Sequence, residues 1–202
     1  GEIAKAEQPI MVEFARKLQA SGLTVETVSI GSTPTMMASK RFEKGVTEIR
    51  PGNYVFFDAS EVALGSCELA ACALSVLTSV VSVHPSRIVV DAGATVLSKD
   101  AGVPNMNPDM GYGVVLRSFD SDSAAPAMHL AALSQEHGKI QIRDKSSHPS
   151  FAPGDCLRII PNHSCLTASS FDRYYVIAKD TVVASWPIRR ERLAREFQPI
   201  GS

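Results

Sequence analysis

The chain has 202 residues, of which 45% are hydrophobic and 20% are charged, and its formal net charge is -1. This composition is ordinary for a soluble globular protein of one large domain or two small ones. No basic cluster favours a nucleic-acid partner, and the longest apolar stretches are interrupted by polar residues, so no membrane span is predicted.

The four cysteines, Cys67, Cys72, Cys156 and Cys165, have no regular spacing. A chain of this size can bury a core without disulfides, and no signal peptide is recognised. We therefore expect reduced thiols and a cytoplasmic location.

An amphipathic helix is predicted over residues 3–20, where apolar side chains recur at helical spacing. Gly22 suits a left-handed C-cap, and the β-branched residues of the segment 24–30 predict a strand. A helix, a glycine turn and a strand in succession indicate an α/β unit with a parallel sheet. Because Gly1 leads into the helix with no start signal, we expect the chain to be part of a larger fold.

A loop rich in small polar residues, Gly31-Ser32-Thr33-Pro34-Thr35, follows the predicted strand directly. Gly31 permits a close approach of the backbone, and the hydroxyls of Ser32 and Thr33 lie beside backbone N–H groups. Such a loop at the carboxyl end of a parallel strand can hold a phosphate. The same residues also suit a plain turn, so both interpretations stay open.

A further strand is predicted from Tyr54 to Asp58, after the break at Pro51-Gly52. The Tyr54 hydroxyl could bond a ligand, although a strand tyrosine is also commonly a core residue with its tip in water.

After about residue 60 the pattern changes to strands joined by segments that contain Gly, Pro, Asp, Asn and Ser, with no long helix between them. This pattern predicts a mostly antiparallel β domain, with a domain boundary between residues 60 and 69. The strands are predicted over residues 73–83, 87–91, 114–117, 127–133, 156–160, 173–178 and 181–188.

A histidine and a cysteine lie two residues apart, at His163 and Cys165, directly after an apolar run. If the strand continues through them, both side chains point to the same face and converge on a soft or borderline cation such as zinc. Two ligands would leave positions open for water or substrate, as in catalytic metal sites. The pair also fits a strand end with a hydrogen-bonded histidine and a buried thiol.

Six short segments occur in a fixed order along the chain, and together they resemble the D-threonine aldolase and eukaryotic-type D-serine dehydratase family. These are pyridoxal phosphate enzymes related in fold to alanine racemase. The resemblance runs from about Val28 to Trp186. The segments are Gly31–Thr35, Thr47–Tyr54, Val90–Gly93 with Leu97–Asp100, Ser134–Gly138, Pro153–Asp155 and Pro161–Cys165.

The resemblance implies an α+β fold, in which residues 1–62 are the end of a TIM-like α/β barrel and residues 63–202 are a mostly antiparallel β domain carrying the metal motif. The family anchors its cofactor on a lysine near the start of the barrel. Lys5, Lys17, Lys40 and Lys44 do not lie in a matching motif. The chain alone is therefore expected to lack the anchor and to be inactive.

The resemblance also implies site residues. Gly31, Ser32 and Thr33 match the loop that binds the cofactor phosphate, and Tyr54 matches a strand tyrosine near the cofactor. No catalytic residue is carried over.

His163 and Cys165 match the metal pair of the D-serine dehydratases, where zinc is expected. In the D-threonine aldolases an acidic residue replaces the cysteine and manganese is used, so the thiolate favours zinc and the dehydratase branch. The segment around His137 matches the family as well, and either a role near the active site or a structural role is open for that histidine.

The family's activity implies a lyase for β-hydroxy D-amino acids, which dehydrates D-serine or D-threonine or cleaves D-threonine by a retro-aldol reaction. The cofactor would take up electrons from the α carbon, and the metal would polarise the β-hydroxyl group. The family also implies a homodimer, in which the β domain packs against the barrel of a second subunit. Two alternatives remain: a non-catalytic fragment that binds a metal or a partner, and an amino-acid racemase of the same fold class.

Overall fold

The computed structural model describes residues 2–116, 122–144 and 150–189. The helices are α1 (Glu2–Ala20), α2 (Thr33–Ala38), α3 (Ala59–Ala63), α4 (Ala94–Leu97) and α5 (Ser164–Ala168), and a 3₁₀ turn spans Leu69–Ala71. The strands are β1 (Ser29–Ile30), β2 (Glu48–Ile49), β3 (Val76–His84), β4 (Arg87–Val90), β5 (Gly113–Leu116), β6 (Ala124–Leu133), β7 (Gly138–Ile142), β8 (Cys156–Pro161), β9 (Arg173–Ala178) and β10 (Thr181–Pro187).

The N-terminal part is built from α1, α2 and a short parallel pair, β1 and β2. The predicted first helix is confirmed, and it ends where expected, with Gly22 at a φ of 87°. The helix buries Val12 and Ala15, whereas Ile10 and Phe14 on its other side are exposed. One apolar stripe of α1 is therefore left uncovered among the described residues.

The parallel strands are much shorter than predicted. Residues 24–30 were expected to form one strand, but only Ser29–Ile30 pairs, because its partner β2 has only two residues. Val28 still contributes its backbone, since its carbonyl accepts from the N–H groups of Thr47 and Glu48 at 3.0 and 3.2 Å. The α/β unit with parallel pairing is confirmed, and the length of its strand was overestimated.

Strands β3 to β8 close into a barrel in the order β3-β4-β7-β6-β5-β8, with antiparallel pairing throughout. Alternate side chains of its strands fill the interior of the barrel. Burial of one isoleucine, leucine or valine side chain contributes about 1.5–3 kcal/mol to the stability of the fold. The mostly antiparallel β domain is confirmed. The fully buried members include Ile88, Leu130, Ile140, Leu157 and Ile159.

All of the strands predicted after residue 60 are present, although the predicted end at residue 117 lies outside the described residues. Strands β9 and β10 form a separate antiparallel hairpin. Strand β7 was not predicted, although Ile140 and Ile142 alternate with Lys139 and Gln141 and only the isoleucines are buried. Its single pair of large apolar residues is a weak signal beside the longer β-branched runs.

The predicted strand from Tyr54 to Asp58 was wrong. Residues 53–56 form a turn, in which the N–H groups of Phe56 and Phe57 donate to the Asn53 carbonyl at 3.2 and 2.8 Å. Phe57 has a φ of 52°, and Asp58 is the N-cap of α3. A residue with positive φ cannot continue a strand, and its neighbour is thereby turned into a helix cap.

In the part of the chain that the structure describes, no helix is long and apolar enough to cross a bilayer. The predicted domain boundary after residue 62 falls within α3, close to its end. The division at that residue stays a prediction.

Candidate functional site

A cavity of about 260 Å³ lies between the N-terminal part and the β barrel. The first turns of α2, α3 and α5, with the residues that precede them, form its walls, so it is built from segments far apart in sequence. Its lining residues are Ser32, Thr33, Pro34, Gly52, Asn53, Asp58, Ser60, Glu61, Asn162, His163 and Cys165.

His163 is the N-cap residue of α5, and its side chain contacts the carboxylate of Asp100. Its Nδ1 atom is 2.9 Å from Oδ2 of Asp100, and the two side chains are 40% and 29% exposed. Because a carboxylate accepts hydrogen bonds, Nδ1 carries the proton, which leaves the lone pair of Nε2 for another partner. Carboxylate–histidine pairs of this kind orient metal-ligating histidines.

The expectation that His163 and Cys165 lie on one strand was wrong. Strand β8 ends at Pro161, His163 is the N-cap of α5, and Cys165 is in its first turn. The chain turns at Asn162, because its side-chain amide donates to the carbonyls of Asp100 and Gly111 at 3.0 and 2.9 Å. His163 and the exposed Cys165 nevertheless line the same cavity.

Asp58 joins α3 to α5. One carboxylate oxygen accepts from the N–H of Glu61 at 3.0 Å and so caps α3. The other accepts from the N–H of Ser164 at 2.9 Å, and from the side-chain amide of Asn53. Asp58 is 1% exposed, so a buried carboxylate fixes the first turn of α5, and with it Cys165, against the N-terminal part.

Two more hydrogen bonds cross the cavity wall. The Ser60 hydroxyl donates to the Asn162 carbonyl at 2.6 Å, and the Ser164 hydroxyl donates to the side-chain carbonyl of Asn53. Both join residues more than 100 positions apart in the chain. Sequence spacing could not reveal these contacts, since each residue alone reads as an ordinary cap or turn residue.

The predicted phosphate loop is only partly at the cavity. Ser32 and Thr33 line it, with Ser32 as the N-cap of α2 and the Thr33 hydroxyl accepting from the N–H of Asn53 at 2.9 Å. Gly31 is not among the lining residues. Its N–H donates to the carboxylate of Glu7 at 3.1 Å, so this donor already has a partner.

Gly31 is required by the close packing of β1 against the segment after β2. Its φ is 138°, and a Cβ at this position would lie 2.7 Å from the backbone nitrogen of Arg50. This geometry explains the glycine without any ligand. A role in phosphate binding for Gly31 stays a prediction.

Tyr54 and His137 are not among the residues that line the cavity. Tyr54 is 51% exposed, in a turn rather than on a strand. His137 is exposed in the turn between β6 and β7, where its carbonyl accepts from the N–H of Ser134 at 2.8 Å. The segment Ser134–Gly138, which contains His137, packs on Gly93, where a Cβ would collide with the backbone of residues 135–137. That contact favours the structural interpretation of the motif around His137.

Glu61 is a cavity residue that the sequence did not identify. It is 5% exposed, and its Oε2 atom has no hydrogen-bond partner among the described residues. Burial raises the pKa of its carboxyl group, and the charge of Asp58 adds to the rise, while hydrogen bonds with Ser66 and Asn53 and the charge of His163 oppose it. A buried glutamate in the first turn of a short helix resembles an ordinary helix-terminus residue in sequence, so no motif marks it.

The donor set at the cavity suits a metal site with open positions. His163 offers an imidazole nitrogen and Cys165 a thiol, which together favour a borderline cation such as zinc. Among the described residues no group of three or more His, Cys, Asp and Glu side chains is arranged to hold a metal ion. A metal bound here would therefore take its other ligands from water or substrate, or from side chains that move.

Comparison with known proteins gives the same family as the sequence motifs. Residues 73–177 match the family model described as "Putative serine dehydratase domain". The chain is 37% identical over 190 residues to a D-threo-3-hydroxyaspartate dehydratase from Delftia sp. strain HT23, covering 91% of this chain and 49% of that protein. It is 38% identical over 188 residues to a D-serine dehydratase from Dictyostelium discoideum, covering 90% and 47%. The chain thus spans about half the length of these relatives.

The similar solved structures belong to the same family. A variant of D-threo-3-hydroxyaspartate dehydratase with a histidine replaced by alanine superposes with a TM-score of 0.79 at 36% identity, over 92% of this chain and 49% of the other. A second variant of that enzyme, with a cysteine two residues further along replaced by alanine, is in the metal-free form and gives 0.78 at 36% identity, over 92% and 50%. The D-threonine aldolase from Filomicrobium marinum gives 0.63 at 25% identity, over 91% and 46%. The predicted fold class, the end of a TIM-like barrel followed by a mostly antiparallel β domain, is confirmed.

Proposed function

The chain belongs to the serine dehydratase domain family, and on this basis we propose that it is the C-terminal portion of a lyase for β-hydroxy D-amino acids. The relatives with assigned names at this similarity are dehydratases of D-serine and of D-threo-3-hydroxyaspartate. Dehydration is therefore the reaction that we propose first.

The observation that carries the proposal is the meeting of two predicted sites at one cavity. Ser32 and Thr33, from the predicted phosphate loop, line the same space as His163 and Cys165, from the predicted metal pair. A cofactor and a metal held by these residues would face a common substrate, as a reaction at neighbouring α and β carbons requires.

His163 and Cys165 are the proposed metal ligands, with zinc as the proposed ion and manganese as the alternative. The Asp100 carboxylate supports the assignment, because its contact with Nδ1 orients the ring of His163 and, in the neutral imidazole, directs the lone pair to Nε2. A relative studied as a histidine variant and as a cysteine variant two residues apart, the latter in the metal-free form, has the same spacing. Bound zinc would act as a Lewis acid on the β-hydroxyl group, which otherwise leaves poorly.

The proposed cofactor contacts are Gly31, Ser32, Thr33 and Tyr54. Of these, Ser32 and Thr33 have the firmer support because they line the cavity. When bound, pyridoxal phosphate supplies an electron sink for the α carbon. The hydroxyl of Thr33 would donate to its phosphate, since it accepts from the N–H of Asn53 and keeps its proton for a ligand. The Ser32 hydroxyl accepts from the N–H of Thr35 and donates to the Thr35 hydroxyl at 3.3 Å, so it would have to turn to donate to the phosphate.

No lysine is among the residues that line the cavity, so the proposed anchor for the cofactor lies elsewhere in the whole protein. We include in the proposal the portion matching the other half of the relatives, a homodimer and a cytoplasmic location. The exposed stripe of α1, with Ile10 and Phe14, is a surface that such a portion could cover.

The test uses the whole protein with pyridoxal phosphate and zinc, incubated with D-serine, D-threonine and D-threo-3-hydroxyaspartate. Release of a keto acid with ammonia is the expected result. An aldehyde with glycine would instead assign aldol cleavage, and inversion without either product would assign a racemase. The absence of every one of these products would leave a non-catalytic binding module and contradict the proposal.

A further inference from the structure

The side chain of Glu7, on α1, contacts both ends of the loop Gly31–Thr35. Its Oε1 atom accepts from the N–H of Gly31 at 3.1 Å, and its Oε2 atom accepts from the hydroxyl of Thr35 at 2.9 Å. Glu7 is not among the residues that line the cavity. Its carboxylate therefore holds the loop that carries Ser32 and Thr33 without itself lining the space that a ligand would occupy.

A chain of hydrogen bonds leads from the cavity to this carboxylate. The hydroxyl of Ser32, which lines the cavity, donates to the hydroxyl of Thr35 at 3.3 Å, and Thr35 donates to Glu7. Because a carboxylate only accepts, the proton of Thr35 points to Glu7, and the Thr35 oxygen is left to accept the proton of Ser32. Glu7 thus determines the direction of both hydroxyl protons.

The next residue of α1 ties the two helices together at the other end of α2. The side-chain nitrogen of Gln8 donates to the hydroxyl of Ser39, the C-cap of α2, at 2.9 Å, and its side-chain oxygen accepts from the N–H of Glu43 at 2.8 Å. The packing of α1 on α2 therefore does not depend on Glu7 alone. A change at Glu7 should act mainly on the loop.

We propose that Glu7 is a positioning residue for the cofactor phosphate: by holding Gly31 and Thr35, it orders the loop before the phosphate binds. An ordered loop loses less conformational freedom on binding, which raises the affinity. The inference rests on the proposed function, because it takes pyridoxal phosphate as the ligand of this loop.

A glutamine at this position should preserve the arrangement. In Glu7→Gln the amide oxygen can accept from Gly31, and the amide nitrogen can donate to Thr35. The proton of Thr35 then turns to Ser32, whose own proton becomes available to the phosphate. Glu7→Leu offers no polar group to either end of the loop, so it should lose the order that Glu7→Gln keeps.

The test uses the whole protein, prepared without cofactor. For the unchanged protein, Glu7→Leu and Glu7→Gln, quenching of protein fluorescence would give the dissociation constants of pyridoxal phosphate and of pyridoxal, which lacks the phosphate. The ratio of the two constants isolates the contribution of the phosphate. Glu13→Leu is the matched control, because Glu13 is exposed on the same helix and pairs with Lys17.

The preference for pyridoxal phosphate over pyridoxal should fall by roughly tenfold in Glu7→Leu, with the affinity for pyridoxal unchanged, because two hydrogen bonds to a charged group are lost. In Glu7→Gln the preference should equal or exceed that of the unchanged protein, and in Glu13→Leu it should be unchanged. If Glu7→Leu fails to fold, Glu7→Ala carries the same comparison.

An unchanged preference in a folded Glu7→Leu protein would overturn the inference. Equal weakening of both ligands would overturn it as well, since it would indicate a general loss of structure. A preference in Glu7→Gln as low as in Glu7→Leu would contradict the hydrogen-bond arrangement on which the inference rests. If the unchanged protein itself shows no preference for pyridoxal phosphate, the proposed cofactor site is contradicted instead, so the two failures are distinguishable.

Discussion

The contact between His163 and Asp100 determines how the imidazole can be used. With Nδ1 at 2.9 Å from the carboxylate, the ring is oriented and its Nε2 lone pair is available. Asp100 is itself positioned by the N–H of Gly102, which donates to its other oxygen at 2.7 Å. In the sequence Asp100 reads as a turn residue, because a contact across 63 positions has no local signature.

Replacing Asp100 by Asn should weaken zinc binding by about 10- to 100-fold, because the histidine loses the charge that orients it and raises its basicity. Asp109→Asn is the control, since Asp109 is exposed and pairs with Arg143. The dissociation constant of zinc, measured by competition with a chelator, checks the prediction. Equal constants for Asp100→Asn and the unchanged protein would contradict it.

The four thiols should differ in reactivity. Burial raises the pKa of Cys72 to about 12, and it raises the pKa of Cys67 as well, whereas Cys156 and Cys165 are exposed. Since the thiolate is the reactive form and only a very small fraction of Cys72 is thiolate at pH 8, Cys72 should react much more slowly than the exposed thiols.

Mass spectrometry after alkylation at pH 8 should therefore find Cys156 and Cys165 labelled first, and added zinc should protect Cys165 but not Cys156. The rate at which Cys72 is labelled should increase as the pH rises, because the fraction of its thiol that is deprotonated limits this rate. Labelling of Cys72 as fast as Cys156 at pH 8 would show that the thiol is not buried as described.

At the scale of elements, long β-branched runs were predicted well and turns were not. The strands after residue 60 follow from alternation and β propensity, which act locally. The segment Tyr54–Asp58 has the composition of a strand, but Phe57 has a positive φ and breaks the extended conformation. His163 and Cys165 lie at the start of a helix and not on a strand. Both departures occur where tertiary hydrogen bonds to Asp58 and from Asn162 override local preference.

Asp58→Ala should lower the free energy of unfolding by about 2–4 kcal/mol, because it removes the cap of α3 and leaves the buried N–H of Ser164 unpaired. Denaturant unfolding of the chain measures this change. Asp155→Ala is the control: it removes an exposed carboxylate that accepts one N–H, from Ala152, and should cost less than half as much. Equal losses for the two variants would contradict the role given to Asp58.

At the scale of the whole molecule, the cavity exists only because distant segments meet. The ordered motifs predicted the family and named four of the residues that line the cavity, namely Ser32, Thr33, His163 and Cys165. Asp100 and Asn162 lie within those motifs, but their roles, like those of Asp58 and Glu61, could not be predicted, since they depend on contacts between segments that are distant in sequence. Ser32, Thr33, His163 and Cys165 are thus the candidate ligand contacts, and Asp58, Asp100 and Asn162 position the segment that carries His163 and Cys165.

Metal content is the most direct test of the central claim that His163 and Cys165 hold a metal ion. Zinc would be measured by elemental analysis in the whole protein and in His163→Ala, Cys165→Ala and the exposed-thiol control Cys156→Ala. We expect about one zinc ion per chain in the unchanged protein and in the control, and near zero in the other two. Full zinc occupancy in both His163→Ala and Cys165→Ala would contradict the assignment.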